Sequence, residues 1–348
     1  MREGTALWSR AFRGEFQHAG YAMALGALIG AYQEDDAGGL RALLPLAGRT
    51  LFEYQARCLA AAGASPLIVL VERVPVALNE AFERLRTEGI SVIPVSDGDE
   101  AASRFEAGSH LIMLSDGIAP DMGDLEKLVE EAEGAILTVP DDEAHAGFER
   151  IDGSHRWAGA ARVESNMLGA TAAMLGDWDL QSTLLRRAVQ SGARFLQSMT
   201  GDGRGPFLAR DQESMLGFER RLLVGSRTAR DDAVGKFVLP FVEEIATEKL
   251  METGVRPSWL IQLALAFTIT AAFCFTRGWH WAAVALLILS TPLDLVAQRL
   301  ATLRLSPLSQ SMLSRRLLWP VSGLALIALG WFETRHGHSL APANSSRE

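Results

Sequence analysis

The sequence predicts an α/β fold for the first two thirds of the chain and an α-helical membrane domain with three transmembrane helices for the last third. Up to about Leu223, short apolar runs alternate with amphipathic helical patterns, which is typical of a sheet covered by helices. Three long apolar runs follow Gly254, and nearly all acidic residues precede it. The formal net charge of -9 therefore belongs to the first part, which argues against nucleic acid as a partner because phosphates require Lys and Arg.

The α/β part is predicted to start with a buried strand over Ala22–Ala31. Further strands are expected over Leu67–Val71, Ile90–Val95, His110–Leu114 and Ala135–Val139, and helices over Leu51–Ala62, Ala77–Thr87, Asp124–Glu133 and Ser182–Val189. Parallel α/β sheets bind ligands beyond the carboxyl ends of their strands. The loops Tyr32–Arg41 and Ser115–Pro120, which follow two of these strands, are therefore the predicted site.

The first of these loops ends in Gly38-Gly39-Leu40-Arg41. The two glycines would let backbone N–H groups approach phosphate oxygens, and Arg41 would supply a positive charge. A glycine pair after a strand is more often a plain turn, and the residues alone leave both interpretations open.

The second loop carries Asp116 directly after an apolar strand. A carboxylate in this position could hold Mg²⁺, which prefers one or two carboxylates together with phosphate oxygens. Ser115-Asp116-Gly117 is also a common turn sequence, so an ordinary turn is the alternative interpretation.

Three apolar runs predict membrane-spanning helices: Trp259–Phe275, Trp279–Ala297 and Leu317–Phe332. Each approaches the roughly 20 residues that cross a bilayer, and tryptophans lie at their ends, where amphipathic rings favour the headgroup region. Buried core helices of a soluble domain are the alternative. An amphipathic helix at the membrane surface is expected over Val234–Met251.

The arginines predict the orientation of the spans. The connection between the second and third runs contains Arg299, Arg304, Arg315 and Arg316 and no acidic residue, and positive loops stay on the cytoplasmic side. The chain is then a multi-pass protein of the inner (cytoplasmic) membrane with a cytoplasmic N-terminal domain. The predicted parts are that domain over 1–225, a linker with the interfacial helix over 226–257, the transmembrane domain over 258–335 and a flexible tail over 336–348.

Several segments resemble nucleotidyltransferases of the sugar-nucleotide, GT-A-like type. Arg41–Phe52, RALLPLAGRTLF, is similar to that family's KPLLPVAGRPLI stretch, and Leu111–Asp116 is similar to its strand that ends in a metal-binding aspartate. Phe207–Leu223 is similar to its closing acidic segment, so the resemblance covers about residues 20–225.

This resemblance implies a nucleotide site with bound Mg²⁺. It assigns catalysis to Arg41 and Asp116, nucleotide binding to Gly38, Gly39 and Arg41, and metal binding to Asp116, Asp211 and Glu213.

The order of the parts resembles bacterial and archaeal fusions of an inositol-phosphate cytidylyltransferase with a membrane CDP-alcohol phosphatidyltransferase. Leu287–Leu303, LILSTPLDLVAQRLATL, is similar to the start of that transferase motif. The motif has four aspartates, of which Asp294 matches one, while Ala297, Arg315 and Trp319 stand at the other positions. The resemblance therefore implies a degenerate, truncated membrane domain without phosphatidyltransferase activity, in which Asp294 is a remnant.

Two functions are expected from the resemblance. In the first, the N-terminal domain transfers a nucleotidyl group, cytidylyl from CTP, to a phosphorylated polyol and so activates it for phospholipid headgroup synthesis. In the second, the chain is a non-catalytic relative that binds nucleotide or a partner enzyme, and its helices contact lipid as a membrane scaffold or form a homodimer. The acidic loop residues Glu34, Asp35 and Asp36, which would repel a triphosphate, separate the two.

Overall fold

The chain forms two units, Met1–Ala229 and Arg230–Glu348. The computed structural model describes residues 25–174, 179–198, 205–225, 257–277, 279, 281–290 and 293. The first unit is a mixed α/β domain on a mainly parallel sheet, which confirms the predicted α/β class.

The strands of the first unit are short, as is usual for buried strands in α/β domains. In chain order they are β1 (Leu25–Gly30), β2 (Pro45–Leu46), β3 (Arg49–Thr50), β4 (Leu67–Leu70), β5 (Val92–Val95), β6 (His110–Leu114), β7 (Ile118–Ala119), β8 (Ala135–Pro140), β9 (His155–Glu164), β10 (Arg194–Gln197) and β11 (Phe207–Leu208).

The main sheet has the strand order β10-β8-β9-β6-β1-β4-β5 in the described residues. Neighbouring strands are parallel except β9, which is antiparallel to both β6 and β8. β1 lies between β4 and β6, so the chain continues to one side of β1 first and later to the other. This makes the carboxyl ends of β1 and β6 a topological switch point, where open α/β sheets bind ligands.

Helices connect and flank these strands. They are α1 (Leu51–Ala61), α2 (Val76–Thr87), α3 (Gly98–Ser103), α4 (Met122–Glu130), α5 (Ser165–Ala172), α6 (Leu180–Gln190) and α7 (Gln212–Gly225) in the first unit, and α8 (Pro257–Thr276) in the second. α1 begins at a capping box, in which Thr50 and Glu53 each accept a hydrogen bond from the other's backbone N–H. α6 begins at Asp179, which is its N-cap, because the Asp179 carboxylate accepts a hydrogen bond from the Gln181 N–H.

The core of the first unit lies between the sheet and its helices. β1 is buried after its first residue because both faces of a central parallel strand are covered. The main cluster joins Leu28 and Met113 of the central strands with Trp157 of β9 and Leu184 of α6. The sheet thus packs against α6, whose first residues contribute to the candidate site.

All the predicted strands and helices of the first unit occur, with ends that differ by a few residues. The sequence pattern does not predict β9, β10, α3, α5 or α7, nor the two-residue strands β2, β3, β7 and β11. β9 contains the run Trp157–Val163, which is rich in Ala and Gly and lacks alternation because the strand is buried on both faces. α3 has six residues, fewer than two helical turns, so it leaves little periodicity to detect.

Gly159 allows β9 to pass Ile118. Its φ is 87°, and a Cβ built there would lie 2.4 Å from Ile118 Cγ1. Gly159→Ala is therefore expected to lower the free energy of unfolding by about 2–4 kcal/mol through backbone strain and overpacking. The matched control is Gly153→Ala, where nothing lies within 4 Å of the added Cβ. Urea unfolding of both variants would measure the difference, and equal midpoints would contradict the expectation.

The last elements of the first unit return to its centre. β11 pairs antiparallel with β7, which is the short strand that follows β6 in the chain. Met215 and Phe218 of α7 belong to a buried cluster with Leu46 and Leu51. The carboxylate of Glu219 accepts a hydrogen bond from the backbone N–H in the turn between β2 and β3. Residues 205–211 are therefore held beside the loop 115–120.

In the second unit, α8 covers the first predicted membrane run. Its residues Ile261, Ala264, Thr268, Ala271 and Phe275, spaced three and four apart, are buried, so this face of the helix packs against protein. Packing accounts for the apolar character of this face.

None of the helices in the described ranges combines the length and the apolar character that crossing a membrane requires. The predicted transmembrane domain therefore has no support there. The run Trp279–Ala297 is described only in part, and Leu317–Phe332, Val234–Met251 and Asp294 lie outside the described residues.

Candidate functional site

Asp116 lies at the switch point between β1 and β6. Its carboxylate reaches the loop after β1, where Oδ2 accepts hydrogen bonds of 2.7 Å from the backbone N–H groups of Tyr32 and Gln33. The residue is 1% exposed. Its Oδ1 is buried and has no hydrogen-bond partner among the described residues. Asp116 thus joins the two loops that the sequence predicts as the site.

Burial raises the pKa of Asp116 from 3.8 to about 6, although the N–H groups of Gln33, Tyr32 and Gly117 and the nearby Arg41 guanidinium oppose the rise. Oδ1 of Asp116 is buried and receives no hydrogen bond in the described residues, which agrees with the raised pKa. A carboxyl group with such a pKa at the switch point of an α/β sheet is a candidate functional group.

The turn that carries Asp116 is held by a buried side chain of α1. Gln55 Nε2 donates hydrogen bonds to the carbonyl oxygens of Ile118 at 2.7 Å and of Ser115 at 3.4 Å. Gly117 has a φ of 73°, and a Cβ there would lie 3.1 Å from Arg41 Cδ. A fixed turn with a glycine at its tightest point keeps the carboxylate in one place.

The structure places Arg41 beside this turn, but its guanidinium is bound within its own loop. Nε donates to the Glu34 carbonyl at 3.0 Å, and Nη1 donates to Gln33 Oε1 at 2.9 Å. A bridge between Glu34 and Leu40 brings the two ends of the loop together. Arg41 therefore closes the loop in this conformation, which differs from its predicted contact with phosphate.

Gly38 and Gly39 form a tight turn whose N–H groups already have acceptors. Asp35 Oδ1 accepts from the N–H of Ala37 at 3.0 Å and of Gly39 at 2.7 Å, and the Gly38 N–H donates to the Asp35 carbonyl at 3.0 Å. An internal carboxylate thus takes the hydrogen bonds that a phosphate would need. In this conformation the loop has the hydrogen bonds of a plain turn, and the nucleotide-binding role of the glycines stays a prediction.

Asp211 and Glu213 line an open pocket of about 560 Å³, together with Asp35 and Asp36. Apolar side chains complete much of its lining: Ala37, Leu40, Leu43, Leu44 and Pro45. Asp211 Oδ1 accepts a hydrogen bond of 2.7 Å from the Ser214 N–H, and its hydrogen bonds with Ser214 lower the pKa of Asp211. Four carboxylates around one pocket create a negative potential, which disfavours a free triphosphate.

The three carboxylates that the resemblance assigns to Mg²⁺ do not form one cluster. No group of three or more His, Cys, Asp or Glu side chains suited to a metal occurs in the part of the chain that the structure describes. Asp116 is turned towards the backbone of the β1 loop, whereas Asp211 and Glu213 line the pocket, to which Asp116 does not contribute. The three side chains are therefore not brought together in this conformation, and the metal-binding role of Asp116, Asp211 and Glu213 stays a prediction.

Two of these residues nevertheless come from adjoining segments. The Ala209 N–H donates a hydrogen bond of 2.8 Å to the Gly117 carbonyl, so Asp211 follows two residues after a direct contact of the Asp116 turn. The pairing of β11 with β7 fixes this arrangement. The fold thus brings the backbone segments that carry Asp116 and Asp211 together.

A second polar cluster, which the sequence does not predict, lies at the start of α6. The Tyr32 hydroxyl is 3.0 Å from Asp179 Oδ1 and 3.2 Å from Gln181 Oε1. The Ser182 hydroxyl is 3.1 Å from Asp179 Oδ2 and 2.9 Å from Glu149 Oε2. Burial is the largest cause of the raised pKa of the Tyr32 hydroxyl, and the nearby charge of Asp179 raises this pKa further. The one signal for this cluster in the sequence is Tyr32, which directly follows the first predicted strand. The other four residues, Glu149, Asp179, Gln181 and Ser182, are more than 100 positions away in the chain.

No protein family model matches the chain, and the comparison with curated proteins finds no similar sequence. Among solved structures, the chain is similar to one described as a glucose-1-phosphate thymidylyltransferase from Bacillus anthracis, with 10% identity, a TM-score of 0.45 and coverage of 57% of this chain and 94% of that one. It is also similar to a CMP:2-keto-3-deoxy-manno-octonic acid synthetase complexed with CTP (15% identity, TM-score 0.41, 58% and 99% coverage).

A third similar structure is a 4-diphosphocytidyl-2C-methyl-D-erythritol synthase from Anaerococcus prevotii, with 11% identity, a TM-score of 0.42 and coverage of 58% of this chain and 99% of that one. At such TM-scores these likenesses carry no weight in the assignment of function, which rests on the residues described above.

Proposed function

We propose that the first unit transfers a nucleotidyl group, cytidylyl from CTP, to a phosphorylated polyol with the help of Mg²⁺. The observation that carries the proposal is Asp116, a carboxylate at the switch point with a buried oxygen that has no partner in the described residues. Buried polar atoms are nearly always paired, so an exception calls for an explanation, and a bound cation is one. The switch point is also where open α/β sheets bind their ligands.

Asp116, with Asp211 from the adjoining segment, would hold a Mg²⁺ ion that is shared with a triphosphate. Such ions are held by one or two carboxylates, and phosphate and water oxygens complete their coordination. Asp116 offers its unpartnered Oδ1, and the hydrogen bond between Ala209 and Gly117 brings the segment of Asp211 to the same turn. When bound, the ion would neutralise the charge of the phosphates.

Arg41 would position the phosphates by exchanging its bond to Gln33 for one to a phosphate oxygen. In the reaction, an acceptor phosphate oxygen forms a bond to the α-phosphorus, and the bond from that phosphorus to the β-bridging oxygen breaks. Pyrophosphate leaves with the bonding electrons. Such a step depends on alignment and charge neutralisation by the protein more than on acid–base groups.

Pyrophosphate release tests this function. The full chain is incubated with Mg²⁺, one of the four ribonucleoside triphosphates, and inositol 1-phosphate or glycerol 3-phosphate. We expect release with CTP and a polyol phosphate, and little without the acceptor. Asp116→Ala is expected to abolish release, whereas Asp99→Ala, which removes an exposed carboxylate from α3, is expected to retain it. Absence of release with every pair would refute the proposal.

The acidic loop favours a second candidate, a non-catalytic domain that binds nucleotide or a partner enzyme. Asp35 already accepts the hydrogen bonds of the Gly38-Gly39 turn, and three further carboxylates line the neighbouring pocket. A domain that does not bind a triphosphate can carry carboxylates at these positions, because there is no phosphate charge for them to repel.

Asp35→Ala tests whether the acidic loop limits nucleotide binding. The substitution removes one negative charge and releases the N–H groups of Ala37 and Gly39, so a transferase is expected to bind CTP about 3–10-fold more tightly, which corresponds to about 1 kcal/mol. Asp36→Ala is the matched control, because it removes the same charge from the same pocket. Equilibrium binding of CTP to the full chain measures both. Equal affinities for the two variants would rule out a role of Asp35 in closing the loop.

Placement at the inner membrane, with the first unit on the cytoplasmic side, is proposed from the apolar runs and arginines of the sequence alone, since α8, which covers the first run, does not have the length and apolar character of a spanning helix. A reporter enzyme fused after Glu348 is expected to be active in the periplasm under the three-span topology. Activity of the reporter in the cytoplasm would overturn that topology.

A further inference from the structure

The polar cluster at the start of α6 has fewer hydrogen-bond donors than acceptors. It is called the acceptor cluster here and consists of Tyr32, Glu149, Asp179, Gln181 and Ser182. The Tyr32 hydroxyl faces two acceptor oxygens and the Ser182 hydroxyl faces two others. Since a hydroxyl carries one proton, each can serve only one oxygen at a time. The Gln181 backbone N–H adds one donor, to Asp179 Oδ1, so within the described residues three donors serve four oxygens.

Gln181 fixes the acceptor cluster at the switch point. It is 2% exposed, and its Nε2 donates a hydrogen bond of 2.9 Å to the carbonyl of Leu114, the last residue of β6. Gly30, the last residue of β1, leaves room for it, because a Cβ there would lie 2.9 Å from Gln181 Oε1. The cluster is therefore built into the ends of the same two strands that carry the Asp116 site.

The acceptor cluster is accessible to a ligand and continuous with the Asp116 site. Asp179 is exposed, and Glu149 and Ser182 are half-buried. The backbone N–H of Tyr32 is bound by Asp116, while its hydroxyl is bound in the cluster. One residue thus spans the two sites, so a small ligand at the switch point would meet both.

Two carboxylates and an amide oxygen disfavour a phosphate and accept hydrogen bonds from hydroxyl groups. We propose that the acceptor cluster binds the hydroxyl groups of the polyol part of the acceptor, while the phosphate of the acceptor lies towards Arg41 and Asp116. The proposal rests on the proposed function and names its substrate class: a polyol monophosphate with at least two free hydroxyls.

Glu149→Gln tests the proposal with little change of shape. Its new amide can donate to Ser182 Oγ and so supply a donor from within the cluster. Binding of inositol 1-phosphate to the full chain, followed by ligand-observed NMR, is expected to weaken about 5-fold or more, which corresponds to about 1 kcal/mol. Binding of CTP with Mg²⁺ is expected to stay the same. Asp179→Asn is a second variant, because Asn keeps the N-cap of α6 while the charge is removed.

The matched control is Glu143→Gln, an exposed position in the same connection between β8 and β9. Unchanged inositol 1-phosphate binding in both test variants, with unaltered thermal unfolding, would overturn the proposal. Tighter binding of phosphoethanolamine than of inositol 1-phosphate would also overturn it, because the cluster would then select an ammonium group. Polyol binding that the variants weaken, without pyrophosphate release in wild type, would support the cluster and refute the transferase. Pyrophosphate release by wild type, together with polyol binding that the variants leave unchanged, would support the transferase and refute the cluster.

Discussion

Asp116→Asn is expected to stabilise the first unit by about 1–2 kcal/mol at pH 7.5 while it lowers pyrophosphate release about 100-fold, or about 2.7 kcal/mol in activation free energy. The amide keeps an acceptor for the N–H groups of Tyr32 and Gln33, but it has no charge for burial to disfavour. It also lacks the negative charge that a cation would need. A residue that weakens the fold and is required for activity is typical of a functional site.

The pH dependence of this stabilisation follows from the raised pKa. Between pH 3.8, the ordinary value, and about 6, the folded protein binds more protons at Asp116 than the unfolded chain does. The stability contributed by this group is therefore complete below about pH 4 and is lost as pH rises through 6. A rise of this size corresponds to about 3 kcal/mol, which is an upper bound. Asn does not titrate, so the stability difference between variant and wild type is expected to be small at pH 4 and to grow up to pH 7.

Urea unfolding of the full chain between pH 4 and pH 8 measures this difference. Labelling of the buried Cys58 thiol reports on the first unit, in a Cys274→Ser background that removes the other cysteine. Asp99→Asn is the control, and its stability relative to wild type is expected to vary little over this range. A stability difference for Asp116→Asn that does not change with pH would contradict the raised pKa.

Glu53→Ala is expected to destabilise the first unit by about 3–5 kcal/mol, because it removes a buried carboxylate that Arg57 and Arg84 share and leaves the buried Arg57 with Glu88 as its partner. Glu53 is fully buried and lies 3.3 Å from Arg57 and 2.9 Å from Arg84, while its N–H and side chain form the capping box of α1 with Thr50. Arg57 is itself 2% exposed, so its charge cannot turn to water. For a unit of this size the loss corresponds to a fall in Tm of about 10 °C.

The sign of the pH effect at Glu53 is opposite to that at Asp116. Burial alone would raise the pKa of Glu53, but the hydrogen bond from Arg84 and the charge of Arg57 outweigh it, and the pKa is lowered. Its contribution is present above the ordinary value of 4.5 and is lost as pH falls below it. Thermal unfolding at pH 7 and pH 4 is thus expected to show a larger effect of Glu53→Ala at pH 7. Glu80→Ala, which removes an exposed partner of Arg84 at 3.8 Å, is the control and is expected to cost less than about 1 kcal/mol.

The elements with strong local patterns could be predicted from the sequence. β6 has the predicted bounds, His110–Leu114, because an apolar run ends at a turn-forming Ser-Asp-Gly. α1 begins where Thr50 and Glu53 signal a capping box. β9 could not be predicted in the same way, since its place between β6 and β8 depends on antiparallel pairing with strands distant in the chain.

The candidate site was predictable only in its position. The rule that ligands bind beyond the strand ends indicates the loops after β1 and β6, and Asp116 lies there. The sequence does not reveal that Asp35 folds back onto the glycine turn, because that depends on the backbone conformation of the loop. The acceptor cluster depends on the packing of α6 against the ends of β1 and β6, which no local pattern encodes.

The return of residues 207–218 to the loop after β6 has a consequence for synthesis on the ribosome. Ala209, Met215 and Phe218 complete a buried cluster with Leu46 and Leu51. The nascent chain therefore exposes part of this cluster until α7 has left the exit tunnel, when residues that follow the first unit are already being translated. A chain released before Ala209 is expected to keep this apolar surface open and to become a target for chaperones and proteases.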